Sequence, residues 1–503
     1  MAENFSAASG LELCEELIFR RSRTGVTGVA LNQEDISAAI SDEEVQKVLH
    51  GHERQSHDVC LLPQVSEPDA VRHYTRLSKK NFSIDTHSYP LGSCTMKYNP
   101  KIHEWAARLP GIVGLHPYMP LDLLQPALRI MFELQASLEE IGGFTKVSLA
   151  PSAGAQGEFA GLAMIKKALS ARGDKRKSIL VPKSAHGTNP ATAASLGFFV
   201  ISLDIGPDGR MIKRQVDELM NDQCAGLMVT NPNTLGIFES ELPDIARIVH
   251  ERGGFVYGDG ANLNALMGIT RPGDLGIDVM HFNLHKTMTT PHGGGGPGCG
   301  AVGASAELAP FLPTPLIKMA GDRFVVDEER SSSIGAIRSF FGNFGMMIRA
   351  WCYIKSLGPD GLKDASSYAV LNANYVREKL KNYYHVAYQE DCLHEVVLSD
   401  KYQAEYGVTA LDIAKRLIDY GVHPPTMYFP LVVKGALMVE PTETESLYDL
   451  DRMIEAFIAV ATESQENPQL VKSAPHMTRL SRLDEAQAAR KPVLTYQEIV
   501  AQR

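Results

Sequence analysis

The stretch VSLAPSAGAQGEFAGLAMIKKAL, residues 147–169, decides the fold class, because it places a short apolar run directly before a helical pattern. Five further apolar runs follow before residue 300, and helical segments such as the one after Pro243 separate several of them. Near-continuous apolar strands that alternate with helices are typical of a parallel sheet covered on both faces. The sequence therefore predicts an α/β fold, with strands beginning near residues 147, 178, 198, 226, 254 and 278.

The sequence on either side of this region has a different character. The first 115 residues show little sustained periodicity, whereas apolar residues recur at three- and four-residue steps over 128–141. That spacing, with Pro126 at its start and Gly142 just past its end, predicts an amphipathic helix. Near the other end, the run LVVKGALMV, residues 431–439, is strand-like. We expect an N-terminal arm over residues 1–115, a large domain with a mainly parallel sheet over 116–330, and a smaller C-terminal α+β domain with a tail over 331–503.

The composition and charge of the chain exclude several classes of function. Its 503 residues are 44% hydrophobic, and 49 basic against 59 acidic side chains give a net charge of -10 without a basic block. Nucleic acid is therefore not an expected partner, because binding to phosphates needs a positive surface. The chain has no long apolar run, no charged-then-apolar leader and no C-x-x-C pair. We expect a cytoplasmic protein that does not bind a membrane.

Lys286 follows the last of the apolar runs and precedes four consecutive glycines, Gly293–Gly296. A lysine beyond a strand end, beside backbone without Cβ atoms, can bind a carbonyl cofactor as a Schiff base. A surface lysine before a flexible loop is the alternative for this motif alone. Residues 293–298 also fit the dinucleotide pattern G-x-G-x-x-G, but Pro297 stands where the helix of that motif must begin, which argues against a dinucleotide site.

Asp259 ends the apolar run that begins at residue 254, upstream of Lys286. A carboxylate at a strand end can pair with a pyridine nitrogen and keep the ring cationic, so that the ring accepts electrons. An aspartate that caps a turn is the alternative. Only the combination with Lys286 favours the functional interpretation.

Three further groups of residues are candidates for the site. The segment 152–155 joins a strand to a helix through small residues, and free amide groups there can bind a phosphate; Ser152 as a simple N-cap is the alternative. His186 follows another strand and can stack over a cofactor ring, although a structural histidine is equally compatible with the pattern. His281 and His285 stand four residues apart, but a strand separates residues at this spacing, so no metal site is predicted.

These residues and their flanking motifs give the chain a family resemblance. It resembles the glycine cleavage system P-protein family, the pyridoxal-phosphate-dependent glycine decarboxylases, and within that family the second subunit of the two-subunit bacterial form. The motifs that carry the resemblance are YPLGSCTMK (89–97), GLHP (114–117), SAGAQGE (152–158), AHGTNP (185–190), TNPNT (230–234), NLHKT (283–287) and VEPTE (439–443).

The resemblance implies a fold-type-I architecture and assigns roles to the candidate residues. Lys286 carries the cofactor pyridoxal 5'-phosphate, Asp259 pairs with its pyridine nitrogen, and His186 lies against its ring. The remaining site residues that the resemblance implies are Ser152, Ala153, Gly154, Ala155, Thr188, Asn262 and His285. For the substrate carboxylate, the candidates are Arg323, Arg338 and Arg349.

The resemblance also implies a reaction and a set of partners. The family decarboxylates glycine and passes the aminomethyl group to the lipoyl arm of H-protein. A chain of this kind is expected to assemble with P-protein subunit 1 as a hetero-tetramer that contains two copies of each subunit. Two alternatives remain: another fold-type-I pyridoxal-phosphate enzyme, either an amino-acid decarboxylase or an aminotransferase, and a non-catalytic subunit that only supports its partner.

Overall fold

A computed structural model of the protein describes residues 15–28, 41–50, 52, 62–292 and 298–501. The described residues form two compact units, of which one contains those before residue 84 and those after residue 482, and the other runs from Ile84 to Arg482. The division at residues 115 and 330 that the sequence suggests stays a prediction. Among the described residues, no helix combines the length and apolar character that crossing a lipid bilayer requires.

The smaller unit consists of short helices, and it contains a buried acidic side chain. Glu15 is buried and contacts His73 at 2.6 Å and Arg21 at 2.8 Å. A buried carboxylate needs such cationic and hydrogen-bonding neighbours, because water no longer solvates it. The helices of this unit are α1 (Asp42–Leu49), α2 (Glu67–Ser78) and, near the C-terminus, Glu485–Arg490 and Tyr496–Ala501.

The larger unit is organised around a seven-stranded sheet. Its strands are β1 (Lys146–Ser148), β2 (Ser178–Pro182), β3 (Phe199–Leu203), β4 (Cys224–Thr230), β5 (Phe255–Gly260), β6 (Val279–Asn283) and β7 (Gly300–Ala304). They lie in the order β1-β7-β6-β5-β4-β2-β3. Strands β2 to β6 are parallel, whereas β7 is antiparallel to both β6 and β1. The six strands predicted from the apolar runs are all present, and the mainly parallel sheet is confirmed.

The helices of the larger unit cover the sheet and continue into the C-terminal part. They are α3 (Lys101–Ala107), α4 (Pro110–Val113), α5 (Gln125–Gly142), α6 (Gly154–Ala171), α7 (Thr188–Ser195), α8 (Lys213–Leu219), α9 (Leu242–Glu251), α10 (Leu284–Thr287), α11 (Phe344–Leu380), α12 (Ala410–Asp419), α13 (Leu447–Glu466) and α14 (Pro468–Lys472). Helix α11 consists of two segments that meet at Gly358, which has a φ of 64° and precedes Pro359.

Helix α5 ends one residue later than the sequence predicts. Gly142, expected just past the end, is its last residue, and the C-cap is Gly143, with a φ of 72°. A left-handed C-cap favours glycine because glycine has no Cβ. Two consecutive glycines satisfy that rule equally well, so the sequence alone does not fix the end.

Apolar side chains cover the large sheet on both faces. In β4, Leu227 belongs to the cluster that includes Leu134 of helix α5, whereas the next residue, Met228, belongs to the cluster that includes Ile165 of helix α6. Successive residues of a strand point to opposite faces. The apolar character of β4 is therefore continuous because both of its faces are buried, as the sequence pattern predicts.

A second, antiparallel sheet lies in the C-terminal part of the larger unit. Its strands are β10 (His385–Val386), β11 (Val396–Ser399), β12 (Thr426–Met427) and β13 (Ala436–Val439), after a separate hairpin of β8 (Leu316–Ala320) and β9 (Arg323–Asp327). The strand expected over 431–439 is shorter than predicted, because Gly435 has a φ of 64° and residues 431–435 form a turn. The sheet order is β10-β11-β13-β12, and helices α12 and α13 complete this α+β part.

A truncation in the middle of the large sheet tests the two-faced core. Leu227 is fully buried, so Leu227→Ala should destabilise the protein by about 3 kcal/mol through lost burial and a residual cavity. Leu431→Ala is the matched control, because that side chain is 83% exposed. Denaturant unfolding of both variants measures the difference, and equal midpoints would contradict this account of the core.

Candidate active site

A cavity of about 240 Å³ lies where β4, β5 and β6 end. Thr230 closes β4, Asp259 lies near the end of β5, and Asn283 closes β6, and all three line the cavity. Ligands of parallel sheets bind at the carboxyl ends of the strands. All cofactor-site residues predicted from the sequence except Ser152 line this cavity: Ala153, Gly154, Ala155, His186, Thr188, Asp259, Asn262, His285 and Lys286.

Lys286 reaches the cavity from a single helical turn. Strand β6 leads directly into helix α10, and Lys286 is the third residue of that helix. The backbone N–H of Leu284 donates to the carbonyl of Cys299 at 3.0 Å, which ties the start of the turn to the chain entering β7. The amine is thus held on a short, anchored element at the sheet edge. Gly293–Gly296 and Pro297 lie outside the described residues.

Asp259 is a buried acceptor that remains ionised. Its Oδ1 accepts from the backbone N–H of Ala261 at 2.9 Å, and its Oδ2 accepts from Asn189 Nδ2 at 3.1 Å. Burial opposes its ionisation, but His281 and Lys286, together with these hydrogen bonds, hold the pKa of Asp259 below its usual value. A buried carboxylate of this kind can hold a cationic N–H group of a ligand.

His281 belongs to the site, although the sequence interpretation treats it only as a metal candidate. It pairs with Asp259 across β5 and β6, and its Nε2 lies 3.5 Å from Asp259 Oδ1. Its ring also contacts Tyr257 Oη at 2.5 Å and Asn283 Nδ2 at 2.7 Å. A period of two places these residues on one face of the sheet, and that alternation is the signal from which His281 and Asn283 could have been found.

The N-terminus of helix α6 forms a small, crowded cradle. The N-cap is Ala153, without a side-chain cap, so the interpretation of Ser152 as the N-cap is wrong. Instead, the Ser152 N–H donates to Gln156 Oε1 at 2.7 Å. A Cβ on Gly154 would collide with the side chain of Asn283. The amides of the first turn have no acceptor within the helix. They lie at the cavity surface, where small side chains leave room for a ligand such as a phosphate.

His186 and Glu158 form another side of the cavity. The backbone N–H of Thr188 donates to His186 Nδ1 at 3.2 Å, which fixes the ring, and partial desolvation lowers the pKa of His186. Glu158 is a lining residue that sequence reasoning missed. Burial and the nearby negative charge of Asp259 raise the pKa of Glu158 to about 7. Asn189 Nδ2 donates to Glu158 at 3.2 Å and so links it to Asp259.

The remaining predicted residues are also held by backbone groups. His285 Nδ1 lies 3.0 Å from the carbonyl and 3.2 Å from the amide of Cys299, and burial lowers the pKa of His285 to about 4. Asn262 is buried and its Nδ2 donates to the carbonyl of Pro232 at 2.9 Å. Further lining residues that the sequence interpretation does not single out are Ser93, Thr230, Thr234 and Ala261.

The three arginines considered for a substrate carboxylate do not line the described cavity. Arg323 pairs with Asp122, and Arg349 holds Glu104 through two hydrogen bonds of 2.7 and 2.8 Å. Arg338 donates to Asn343 at 3.1 Å, and its Nη1 has no hydrogen-bond partner among the described residues. Arg338 thus keeps a buried donor that the described residues do not satisfy.

Two family models match the chain. Residues 30–328 match "Glycine cleavage system P-protein", and residues 365–477 match "Glycine dehydrogenase, C-terminal domain". The chain is 53% identical over 481 residues to "Probable glycine dehydrogenase (decarboxylating) subunit 2" of Caldanaerobacter subterraneus subsp. tengcongensis, which covers 95% of this chain and 98% of the relative. It is 50% identical over 486 residues to the protein of the same name in Halalkalibacterium halodurans, covering 96% and 99%.

A solved structure has the same fold. The crystal structure of glycine decarboxylase (P-protein) of the glycine cleavage system, in inhibitor-bound form, superposes with a TM-score of 0.68 at 19% sequence identity. The match covers 84% of this chain and 99% of that chain. The likeness confirms the fold-type-I architecture expected from the sequence.

The raised pKa of Glu158 predicts a pH-dependent stability. Because its pKa rises from 4.5 to about 7 on folding, its contribution is fully present below pH 4.5 and is lost as the pH rises to about 7. That loss is roughly 3 kcal/mol for one group. Glu158→Gln should flatten this part of the curve of unfolding free energy against pH, whereas Glu455→Gln, an exposed control, should leave it unchanged. An unaltered curve in Glu158→Gln would refute the assignment.

Proposed function

The chain belongs to the glycine cleavage system P-protein family, and on this premise we propose that the cavity beside Lys286 is where it decarboxylates glycine with pyridoxal 5'-phosphate. The relatives confirm the enzyme class expected from the sequence, glycine dehydrogenase (decarboxylating). They do not favour a different pyridoxal-phosphate enzyme or a non-catalytic scaffold. The observation that carries the site assignment is the meeting of Lys286, Asp259 and the N-terminus of helix α6 in one cavity.

The donors and acceptors of the cavity match three groups of the cofactor: its aldehyde, its phosphate and its pyridine nitrogen. Lys286 offers an amine for its aldehyde, and the first amides of helix α6 offer donors for its phosphate. Asp259, whose pKa is held below its usual value, offers an ionised acceptor for the pyridine nitrogen. Pyridoxal phosphate, when bound, supplies a cationic ring that accepts the electrons of the bond broken in decarboxylation.

The side chains of this protein prepare the site for that chemistry. Asp259 holds a proton at the ring nitrogen, and its own partners Asn189 and Ala261 keep the carboxylate in place. His186, fixed through Thr188, offers a flat surface against which an aromatic ring can stack. Glu158, with a pKa near 7, limits the negative charge beside Asp259 when it carries its proton. We propose Arg338 for the substrate carboxylate, because it keeps an unsatisfied buried donor and its partner Asn343 donates to the carbonyl of Ser152, next to the lining residue Ala153.

The aminomethyl group is expected to leave the site on the lipoyl arm of H-protein. The glycine cleavage context of the family supports this acceptor. A carrier with a swinging arm suits a cavity at the carboxyl edge of a sheet, because a thin arm can enter where a folded protein cannot. We expect the reaction to take place in the cytoplasm, without nucleic acid or membrane as a partner.

Exposed apolar side chains recur along residues 98–123, here called the apolar band, and support assembly with P-protein subunit 1. Large exposed apolar patches commonly mark protein interfaces, and Trp and Tyr are enriched at interface centres. The expected assembly is a hetero-tetramer with two copies of each subunit. The band consists of Tyr98, Ile102, Trp105, Leu109, Val113, Tyr118, Leu121 and Leu123, each between 36% and 80% exposed.

Removal of the lysine amine tests the site directly. Lys286→Ala should lower the exchange of the glycine carboxyl group with labelled bicarbonate by about a thousandfold or more, since no other group replaces the amine. The assay uses the chain with its companion subunit and lipoylated H-protein. Lys318→Ala is the control, because that amine is exposed on the β8–β9 hairpin. Wild-type exchange in Lys286→Ala would disprove the assignment.

A charge in the apolar band tests the interface. Trp105 is 60% exposed, and Trp105→Glu should weaken association with subunit 1 by about 2 kcal/mol or more, because it places a charge in a desolvated contact. Sedimentation of the mixed subunits measures this. Tyr448→Glu, which alters a 70% exposed residue outside the band, should leave the assembly intact. Equal effects of the two substitutions would place the interface elsewhere.

A further inference from the structure

Two buried glutamates lie directly behind the cavity. Glu395 precedes β11 and Glu440 follows β13, and because Val396 pairs with Val439, the two glutamates face each other at one end of the small sheet. They are 0% and 1% exposed. An oxygen of each lies within 4.8 Å of the other and of a ring nitrogen of His394.

The two carboxylates hold a strained segment of the chain. The backbone N–H of Ser93 donates to Glu395 Oε2 at 3.0 Å, and that of Thr95 donates to Glu440 Oε2 at 2.9 Å. The Thr95 hydroxyl also donates to Glu440 Oε1 at 2.5 Å. Ser93 and Thr95 have φ values of 64° and 46°, which side chains other than glycine adopt only when their surroundings impose them. The glutamates impose this conformation.

The strained segment forms part of the cavity surface. Ser93 lines the cavity together with Lys286. On its other side, Glu395 Oε1 accepts from Nδ2 of Asn262, at 3.3 Å, and Asn262 also lines the cavity. Glu395 therefore contacts two lining residues from behind without lining the cavity itself. Its influence on the site is exerted through Ser93 and Asn262.

A bound metal ion is the first alternative for such a cluster. His394 is fully buried, and both of its ring nitrogens lack a hydrogen-bond partner among the described residues. One possible ligand atom of each residue lies within 4.8 Å of the others, which is compatible with a shared ion. The carboxylate oxygens, however, already accept from Ser93, Thr95 and Asn262, and these donors satisfy them without an ion. The geometry favours a proton over a metal.

We propose that Glu395 and Glu440 share one proton and act as a positioning pair, which fixes Ser93 and Asn262 at the surface of the cavity; this proposal rests on the proposed function of that cavity. Two buried carboxylates this close cannot both carry a charge. Glu440, which accepts two hydrogen bonds from Thr95, is the ionised member. Glu395 holds the proton.

The surroundings of the pair agree with this distribution. Burial and the charge of Glu440 raise the pKa of Glu395, while burial raises the pKa of Glu440 and the hydrogen bonds from Thr95 oppose that rise. The cations that face the pair are Lys286 and Lys97, and Lys97 is itself paired with Glu443 at 2.5 Å. Two further titratable groups face the pair: burial lowers the pKa of His394 to about 3, and burial raises the pKa of Cys94. Loss of the shared proton would place two like charges behind Ser93 and release it.

Substitution by glutamine separates a proton-sharing pair from a purely structural contact. Glu395→Gln copies the neutral carboxyl group in shape and keeps one of its two accepting oxygens, so it should retain exchange activity within about threefold near neutral pH. Glu395→Ala should lose about tenfold or more, because Ser93 and Asn262 then both lose their acceptor. Glu440→Gln should lose more activity than Glu395→Gln, since it removes the ionised member. Glu445→Gln is the control and should leave exchange unchanged. It removes another carboxyl group, and burial raises the pKa of that group to about 7.

The dependence on pH gives the decisive readout. A folded-state pKa above the unfolded value means that stability is lost as the pH rises through the folded pKa. The wild-type unfolding midpoint should therefore fall as the pH rises above the ordinary pKa of a glutamate and through the raised pKa of Glu395. Wild-type exchange should fall through that same raised pKa, and Glu395→Gln should show a smaller fall in each. An unchanged fall in Glu395→Gln, or activity as low as that of Glu395→Ala, would overturn the pair.

Two measurements keep this outcome distinct from others. Elemental analysis of the purified wild-type protein should find no stoichiometric divalent metal, and one ion per chain that disappears in Glu395→Gln would overturn the proposal. If the wild-type protein with its companion fails to exchange glycine, the proposed function is wrong. In that case, the unfolding midpoint measured against pH in the wild type and in Glu395→Gln still tests whether Glu395 and Glu440 share a proton.

Discussion

A buried carboxylate that stays ionised is the constraint on which the rest of the site depends. Asp259 is 6% exposed, and transfer of such a group out of water favours its neutral form unless charges and hydrogen bonds compensate. The compensation comes from separate parts of the chain: His281 on the neighbouring strand, Asn189 on helix α7 and the amide of Ala261. The ionised acceptor that we propose for the cofactor ring therefore forms only when the sheet and its helices are assembled.

The parallel sheet explains why the candidate site residues lie at one edge, and the small sheet explains how that edge is enclosed. Strands β4, β5 and β6 present Thr230, Asp259 and Asn283 at neighbouring ends. The segment around Ser93 is fastened to the small sheet, since the N–H of Gly92 donates to the Met438 carbonyl at 3.2 Å. Residues far apart in the chain thus line a single pocket. Because the small sheet holds the segment around Ser93, the C-terminal part contributes to the geometry beside Lys286.

Local patterns in the sequence account for much of this structure. The six apolar runs become six strands, and in β4, β5 and β6 burial of both faces explains the apolar signature. The sequence does not predict β7, because its residues GAVGA are small and glycine-rich. Lys286 and Asp259 are recognisable because each follows such a run. Glu395 could not be found in this way, because its contact with Ser93 joins residues 302 positions apart. Pairings of that kind depend on tertiary packing rather than on local periodicity.

Nuclear magnetic resonance of the holoenzyme reconstituted with pyridoxal phosphate labelled with ¹⁵N at its ring nitrogen tests the central claim most directly. If Asp259 is an ionised acceptor at that position, the nitrogen should show the chemical shift of a protonated ring in the wild-type protein and of an unprotonated ring in Asp259→Asn. An unprotonated nitrogen in the wild-type protein, or the same shift in both proteins, would contradict the account.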